Sequence, residues 1–524
     1  MKIIIVGGGS AGWMTAAYLK KFQKTADIVV IESKKIPIIG VGESVTPHVT
    51  TFFDEIGIPK EHWMKYTGSI FKYANKFINW KENKGETEYF SFNYTVQAEN
   101  FYKDITPATK KEEFSDDVTS ERSIDYLIEM CKNGDASRFD RFFNPQFHYM
   151  EKNTSPFIGN KLLLNGPFSF SQHINAELAG KYIRDHIAIP NGIKSIIGTV
   201  VDISNHNDFI EQIKLDDGTI ICGDLFIDCS GFHKVLINKL GWEEKLYDNH
   251  FIDSAWVCQT EYLDQENEMV NYTQSIAEPY GWMFKIGLYH RMGNGYCFSS
   301  RHISDNDALS HFENRIGKQK NTPRLIKWQP KRLKKFASGN VAAVGLSCGF
   351  VEPLEANALY IITSSIRLLN EAISNSMDFS RFNKTIEYTI DDIADFILVH
   401  YTLSSRDDTD FWKNMRSIGD RMNHQEMLIK KINHPKSSMI GALQNFTMFP
   451  DYMWAQLAIS WNCNNLYDRN LDDTTYKLAK LHFNYSEKKH NIISDSMDNN
   501  FKWHKKHIFD GLDAKSWEHL YITN

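Results

Sequence analysis

Two short stretches of this chain combine residue types and spacings that could do chemistry. The first is Gly7-Gly8-Gly9-Ser10-Ala11-Gly12, a G-x-G-x-x-G pattern. Gly7 permits a tight turn, Gly9 lets the backbone approach a pyrophosphate, and Gly12 lets a helix pack closely on a strand. A helix that begins at Ser10 and Ala11 turns its free N–H groups and positive dipole end toward the phosphates. Glu32, twenty residues past Gly12, is placed to bind both ribose hydroxyls and favours a cofactor without a 2′-phosphate. The second stretch is "GFVEPLEANA", residues 349–358, in which Glu352 and Glu355 flank Pro353 ahead of the apolar run "LYIITSSIRLL". A carboxylate at the mouth of a buried helix can simply face the helix dipole. It can also act as a base or stabilise a developing cation. The residue pattern alone leaves both roles open.

These residues need elements to hold them. Ile3 to Val6 reads as a buried strand, Ser10 to Leu19 as a helix with Trp13, Ala17 and Tyr18 on its apolar face, and Asp27 to Glu32 as a second strand. Later pieces return to this unit: a second glycine turn in "GVGES" (40–44), and strands in "LFIDCSG" (225–231) and "VAAVGLSCGF" (341–350). A chain that comes back twice favours FAD over NAD. Between these pieces, "FKYANKFINW" (71–80) is strand-like, and "HINAELAGKYIRDHI" (173–187) reads as an amphipathic helix with Leu178, Tyr182 and Ile183 on one side. Residues 196–231 read as an antiparallel meander closed by Leu225 to Ile227, and residues 253–303 suggest further strands. From about residue 355 the chain turns mainly helical. The expected fold class is α/β, a Rossmann-like FAD-binding fold of the flavoprotein monooxygenase type with a mainly helical C-terminal module. The expected modules are 1–395, FAD-binding and catalytic, with a substrate-facing insertion at about 70–180, and 396–524, helical and packed on the first.

Composition narrows the alternatives. The chain has 524 residues with 42% hydrophobic and 24% charged, the balance of a soluble globular protein. A formal net charge of −6 argues against a nucleic-acid-binding surface. The basic stretches "PKRLKK" (330–335) and "KWHKKH" (502–507) read as solvated faces. The seven cysteines, at 131, 222, 229, 258, 297, 348 and 463, are odd in number and contain no CxxC, which favours free thiols in a reducing compartment. No metal-ligand spacing stands out. No window nears the roughly 18 apolar residues of a spanning helix, and after Met1 and Lys2 the chain runs straight into "IIIV". The expectation is a cytoplasmic protein without membrane contact.

Several motifs together carry a family resemblance: "VGGGSAGWMTAAYL", "ESKKIPIIGVGESVTPHV", "GSIFKYANKFINW", "YTQSIAEPYGWMFKIGL", "GNGYCFSS", "GLSCGFVEPLEANALY" and "HYTLSSRDDTDFW". From residue 2 to about 415 the sequence resembles the flavin-dependent tryptophan halogenases, including their divergent viral-type branch. The resemblance implies that FADH2 and O2 oxidise a halide ion to hypohalous acid. A tunnel then delivers the oxidant to Lys72, and Glu355 positions it or takes the proton of the aromatic ring. It also implies a separate flavin reductase and a small electron-rich aromatic substrate. The cofactor contacts would be Gly7, Gly9, Ser10, Ala11, Gly12, Glu32, Gly42, Val200, Asp228 and Leu346. Trp282 and Phe284 would line the tunnel, Asn357 and Ala358 the halide cradle, and Phe92, Tyr94, Tyr452 and Trp454 the substrate slot. The residue types suit the chemistry. A lysine in an apolar tunnel can be neutral and nucleophilic, and a closed tunnel protects the oxidant from water.

The sequence departs from the family pattern in three places. "WMFKIG" has Phe284 for a second tryptophan and Gly287 for a proline. "EANA" replaces Glu-Ser-Thr-Gly, so Ala356 loses a hydroxyl and Ala358 must tolerate whatever positive φ a glycine held there. An altered halide site, suited to bromide or iodide, is the expectation. Counterparts for the residues that hold free tryptophan are missing, so phenols, indoles and other electron-rich arenes stay open as substrates. A single-component flavin aromatic hydroxylase and an inactive flavin-binding protein are the alternative functions, and homo-oligomerisation is left open.

Overall fold

The computed structural model describes residues 1–34, 42–81, 88–92, 146–162, 170–423, 426, 448–449, 453–454, 457 and 473–510. Its first 32 residues form strand β1 (Lys2–Val6), helix α1 (Ser10–Phe22) and strand β2 (Asp27–Glu32). The strands are aliphatic throughout because both faces are covered: Ile3, Ile4, Ile5 and Val30 are fully buried. β2 pairs parallel to β1, with Ile5 opposite Val30. The full sheet has six strands in the order 194–197, β2, β1, 225–228, 341–343, 337–338, and only the last pairing is antiparallel. The chain therefore returns to its first unit from three directions. The stretch 200–222 folds as the expected antiparallel meander beside it.

A second sheet of seven strands stands apart, in the order 324–327, 254–260, 291–298, 281–288, 272–278, 74–78, 88–92. The strand-like stretch 71–80 contributes to two sheets. β3 (Ile70–Lys72) pairs with Ser171–Ile174 in a small sheet, whereas β4 (Ala74–Ile78) pairs parallel to β5 (Tyr272–Glu278) in the large one. Tyr73 bridges them, its N–H donating to the Asn271 carbonyl at 2.8 Å. Lys72 is thus the last residue before the chain changes sheet. β5 continues antiparallel into β6 (Gly281–Leu288), which carries Trp282 and Phe284.

The amphipathic stretch 173–187 begins as a strand and becomes helical only at Ala176, where Asn175 caps the helix by accepting from the Leu178 N–H. Its buried side is Ala176, Ala179, Gly180, Tyr182 and Ile183, while Leu178 is half-buried. The small residues win that face because it abuts the start of α1. A Cβ on Gly180 would lie 3.0 Å from the Ser10 Cα.

Beyond residue 355 come α2 (Asn357–Ser374), α3 (Ser380–Thr402) and α4 (Asp410–Met422). The expected module boundary at 395/396 falls inside α3, which runs through it unbroken. The C-terminal helices pack on the sheets: the Trp503 ring stacks on Phe157 at 4.3 Å, and His504 Nε2 accepts from the Phe71 N–H at 3.3 Å. "KWHKKH" is solvated through Lys502, Lys505 and Lys506, as expected, while Trp503 and His504 between them are buried. "PKRLKK" is not a solvated face. Arg332 is 4% exposed and pairs with Asp391 and Glu387 of α3, and its three lysines pair with Glu244, Glu243 and Asp208. Among the described residues Cys222, Cys229, Cys258, Cys297 and Cys348 are free thiols; Cys131 and Cys463 lie outside them. No described helix is long and apolar enough to cross a membrane.

Candidate active site

The glycine loop is dictated by contact. Gly7 holds φ 124°, and a Cβ there would sit 2.4 Å from the Cys229 carbonyl oxygen. A Cβ on Gly12 would sit 1.8 Å from the Gly7 carbonyl oxygen, so helix and strand close on each other only without side chains. At Gly9 no atom lies within 4 Å of that position, leaving the backbone open to a ligand. Gly9 is also the N-cap of α1 and provides no side-chain cap, so the first N–H groups of the helix stay available to an anion. Glu32 closes this region with Oε1 accepting from Ser195 Oγ at 3.1 Å. Open backbone, free helix donors and a carboxylate at the end of β2 fit a dinucleotide such as FAD.

One cavity of about 420 Å³ is lined by this loop and also by Asn75, Trp282, Phe284 and Glu355. Of the expected cofactor contacts, Gly7, Gly9, Ser10, Ala11, Glu32, Gly42, Val200 and Leu346 line it. Gly12 and Asp228 do not. Gly12 serves the packing just described. The Asp228 carboxylate accepts from Ser230 N and Oγ, from Leu236 and Ile237 N–H at a helix start, and from Ser347 Oγ. It shapes the loops around the cavity from beneath. Glu43 also lines the cavity, and enclosure away from bulk water pushes its carboxyl up to about 7.

Glu355 sits at an unusual backbone. Glu355 (φ 65°, ψ 16°) and Ala356 (φ 60°, ψ 37°) are consecutive left-handed non-glycine residues immediately before α2. Each such residue costs about 1–2 kcal/mol. The positive φ considered for Ala358 is absent, because that residue is already helical and lines the cavity. The Asn357 side chain faces away from the cavity: Nδ2 donates to the Glu352 and Leu354 carbonyls at 2.7 and 2.8 Å, clamping the turn. α2 has no side-chain cap, so its leading N–H groups are unclaimed at the cavity wall.

Lys72 is fully buried, and its Nζ has no hydrogen-bond partner among the described residues. Burial pulls its pKa down from 10.5 to about 7, partly opposed by the Glu355 charge. Lys72 and Glu355 are therefore brought into electrostatic contact from β3 and the turn before α2. Glu355 lines the cavity and Lys72 does not. Two neighbours of Glu355 carry no local signal in the sequence. Asn75 Nδ2 donates to Oε2 at 2.6 Å, and His400 Nε2 lies 3.3 Å from Oε1, an ion pair when the imidazole is protonated. The His400 Nδ1–H donates to the Phe396 carbonyl at 2.8 Å, which fixes the ring. Asn75 occurs in a quoted strand motif and His400 in "HYTLSSR", but neither spacing announces a carboxylate partner 280 or 45 residues away.

A second buried carboxylate, Glu352, stands behind the cavity-lining Trp282. Glu352 Oε1 accepts from Trp282 Nε1 at 3.1 Å and from the Tyr401 hydroxyl at 2.6 Å. Burial pushes Glu352 up to about 8, and these two hydrogen bonds hold it back. Trp282 and Phe284 lie 6.0 Å apart, and Phe284 fills the space over Gly295, where a Cβ would come within 2.2 Å of its ring. Of the expected substrate residues, Tyr94 and Tyr452 lie outside the described residues. Phe92 ends the strand opposite Ala74. Trp454 is buried edge-on against Phe396 at 4.9 Å and does not line the cavity.

The tryptophan halogenase family model matches residues 2–476. Tryptophan 7-halogenase RebH of Lentzea aerocolonigenes is 32% identical over 426 residues, 79% of this chain and 78% of that protein. Tryptophan 6-halogenase ThaL of Streptomyces albogriseolus is 31% identical over 438 residues, 78% of each chain. Among solved structures, Xcc4156, a flavin-dependent halogenase from Xanthomonas campestris, superposes with a TM-score of 0.81 at 25% identity, covering 97% of this chain and 98% of that one.

Proposed function

The chain belongs to the tryptophan halogenase family, a family of flavin-dependent enzymes, and on that premise we propose that it halogenates an electron-rich arene at Lys72 and Glu355. The observation that carries this reading is the single cavity shared by the glycine loop and Glu355, whose charge acts on a lysine sealed from solvent. Reduced FAD would lie against Gly7, Gly9, Ser10, Ala11, Glu32, Gly42, Val200 and Leu346. With O2 it supplies the oxidising equivalents that turn halide into hypohalous acid. Everything else falls to the chain. The free N–H groups of α2 and the backbone at Ala358 offer a halide its donors. Trp282 and Phe284 narrow the way between the cofactor and the reacting arene. With a pKa of about 7, Lys72 is about half neutral at neutral pH, and its lone pair can hydrogen-bond or carry the halogen. Glu355, held by Asn75 and with His400 beside it, is aimed to stabilise the cationic ring and take its proton.

The reading includes a separate flavin reductase and a substrate other than free tryptophan, a phenol or an indole. The "EANA" turn favours an altered halide site that takes bromide or iodide. Incubating the protein with FADH2, O2, indole and competing chloride, bromide and iodide tests all three points. Halogenated indole, with the heavier halides preferred, is the expected product. A strong chloride preference would count against the halide assignment. Hydroxylated product independent of halide would support the hydroxylase instead.

A further inference from the structure

The proposed mechanism uses only one end of the Asn75 amide, the nitrogen that holds Glu355. Asn75 projects from β4, is 3% exposed and lines the cavity between the glycine loop and Glu355's surroundings. Its Nδ2 is committed to Glu355 Oε2 at 2.6 Å. An ionised carboxylate only accepts hydrogen bonds, so this contact fixes the amide orientation. Its Oδ1 is then left as a buried acceptor with no hydrogen-bond partner among the described residues. A buried amide oxygen without a donor is costly unless a ligand meets it. The species that must pass this point in the proposed reaction carries one hydroxyl proton and one halogen.

Resting on the halogenase reading, we propose that Asn75 Oδ1 binds hypohalous acid by its O–H. The hydrogen bond captures the oxidant beside Glu355 and leaves the halogen end free for Lys72 or the arene. No bond to the protein forms and no proton is transferred in this step. Asn75 is thus an oxidant-holding residue, distinct from the Lys72 and Glu355 pair that handles the halogen and the ring proton. The inference assigns it a task that a purely structural clamp on Glu355 would not have: limiting escape of hypohalous acid.

The test uses the full-length protein loaded with FAD, fed FADH2, O2 and bromide, with indole as acceptor and a soluble β-diketone as trap for escaped oxidant. Asn75→Leu keeps the branched shape and the number of heavy atoms and removes both polar atoms, whereas Asn75→Thr restores an acceptor. The expected result for Asn75→Leu is unchanged FAD affinity and FADH2 consumption, about tenfold less bromoindole, and a matching rise in trapped bromine. Asn75→Thr should recover part of the coupling. If Asn75→Leu loses product with no rise in trapped bromine, or keeps wild-type coupling, the inference is overturned. If Asn75→Leu fails to fold, as seen by thermal melting and lost FAD binding, Asn75→Thr alone decides by the same ratio of product to trap. If the wild-type protein oxidises no bromide at all, it is the proposed function that fails.

Discussion

In the proposed mechanism Lys72 sets the chemistry available at neutral pH. Its folded pKa of about 7 lies far below its ordinary 10.5 because burial penalises the ammonium. A step that needs the neutral amine should therefore speed up about tenfold from pH 6 to pH 8 and then level off. A rate of halogen transfer that is flat or falling across that range would contradict this role. The same shift links to stability with a definite sign. Below about pH 7 the group is protonated folded and unfolded and contributes no slope. Between about 7 and 10.5 the unfolded chain holds the extra proton, so stability rises with pH by up to about 1.4 kcal/mol per unit from this group. Lys72→Met should flatten that slope, as read from urea midpoints at several pH values. His400 is testable in the same site. His400→Phe keeps the ring packed against Phe77 and Phe396 but removes the nitrogen facing Glu355. It should lower kcat about tenfold with little change in FAD affinity.

At the scale of elements, the turn before α2 stores strain at Glu355 and Ala356. Ala356 holds φ 60° without being glycine, so Ala356→Gly should stabilise the protein by about 1 kcal/mol. A lower denaturation midpoint for that variant would show that the turn is not left-handed. The elements also show what the sequence could and could not reveal. β1, α1 and β2 were legible because continuous aliphatic runs, glycine spacing and helical periodicity are local signals. The split of 71–80 into two sheets was not, because "FKYANKFINW" holds no glycine or proline to mark a break, and the switch shows only in long-range pairing such as the Tyr73 bond to Asn271. The left-handed pair Glu355–Ala356 carried no glycine to announce it. Asn75 and His400 were invisible as partners of Glu355, since they reach it from a strand and a helix far away in sequence. Lys72 itself looks like any strand lysine, and its motif, rather than its pattern, singled it out.

Across the whole molecule, the helical part is joined to the sheets by buried charge as well as by aromatic packing. Arg332 is nearly inaccessible and binds Asp391 through two nitrogens, with Glu387 beside it. Burial works against the Asp391 charge, yet hydrogen bonds from Arg332, Tyr247 and Lys245 hold its carboxyl down to about 2. Its stabilisation is complete above its ordinary 3.8 and is lost as pH falls through about 2. Arg332→Met leaves Asp391 without its main partner and should cost about 3 kcal/mol, seen as a lower melting temperature and earlier acid unfolding. An unchanged melt would mean that α3 is held by its apolar face alone. That union matters to the proposed function because α3 carries His400 to Glu355 and Tyr401 to Glu352.

The most direct measurement compares Lys72→Ala and Glu355→Ala with the wild-type protein in FADH2- and bromide-dependent bromination of indole, with FAD binding followed in parallel. The account predicts bromination lowered at least about a hundredfold in both variants, with FAD affinity and flavin oxidation retained. Wild-type bromination by either variant would contradict it.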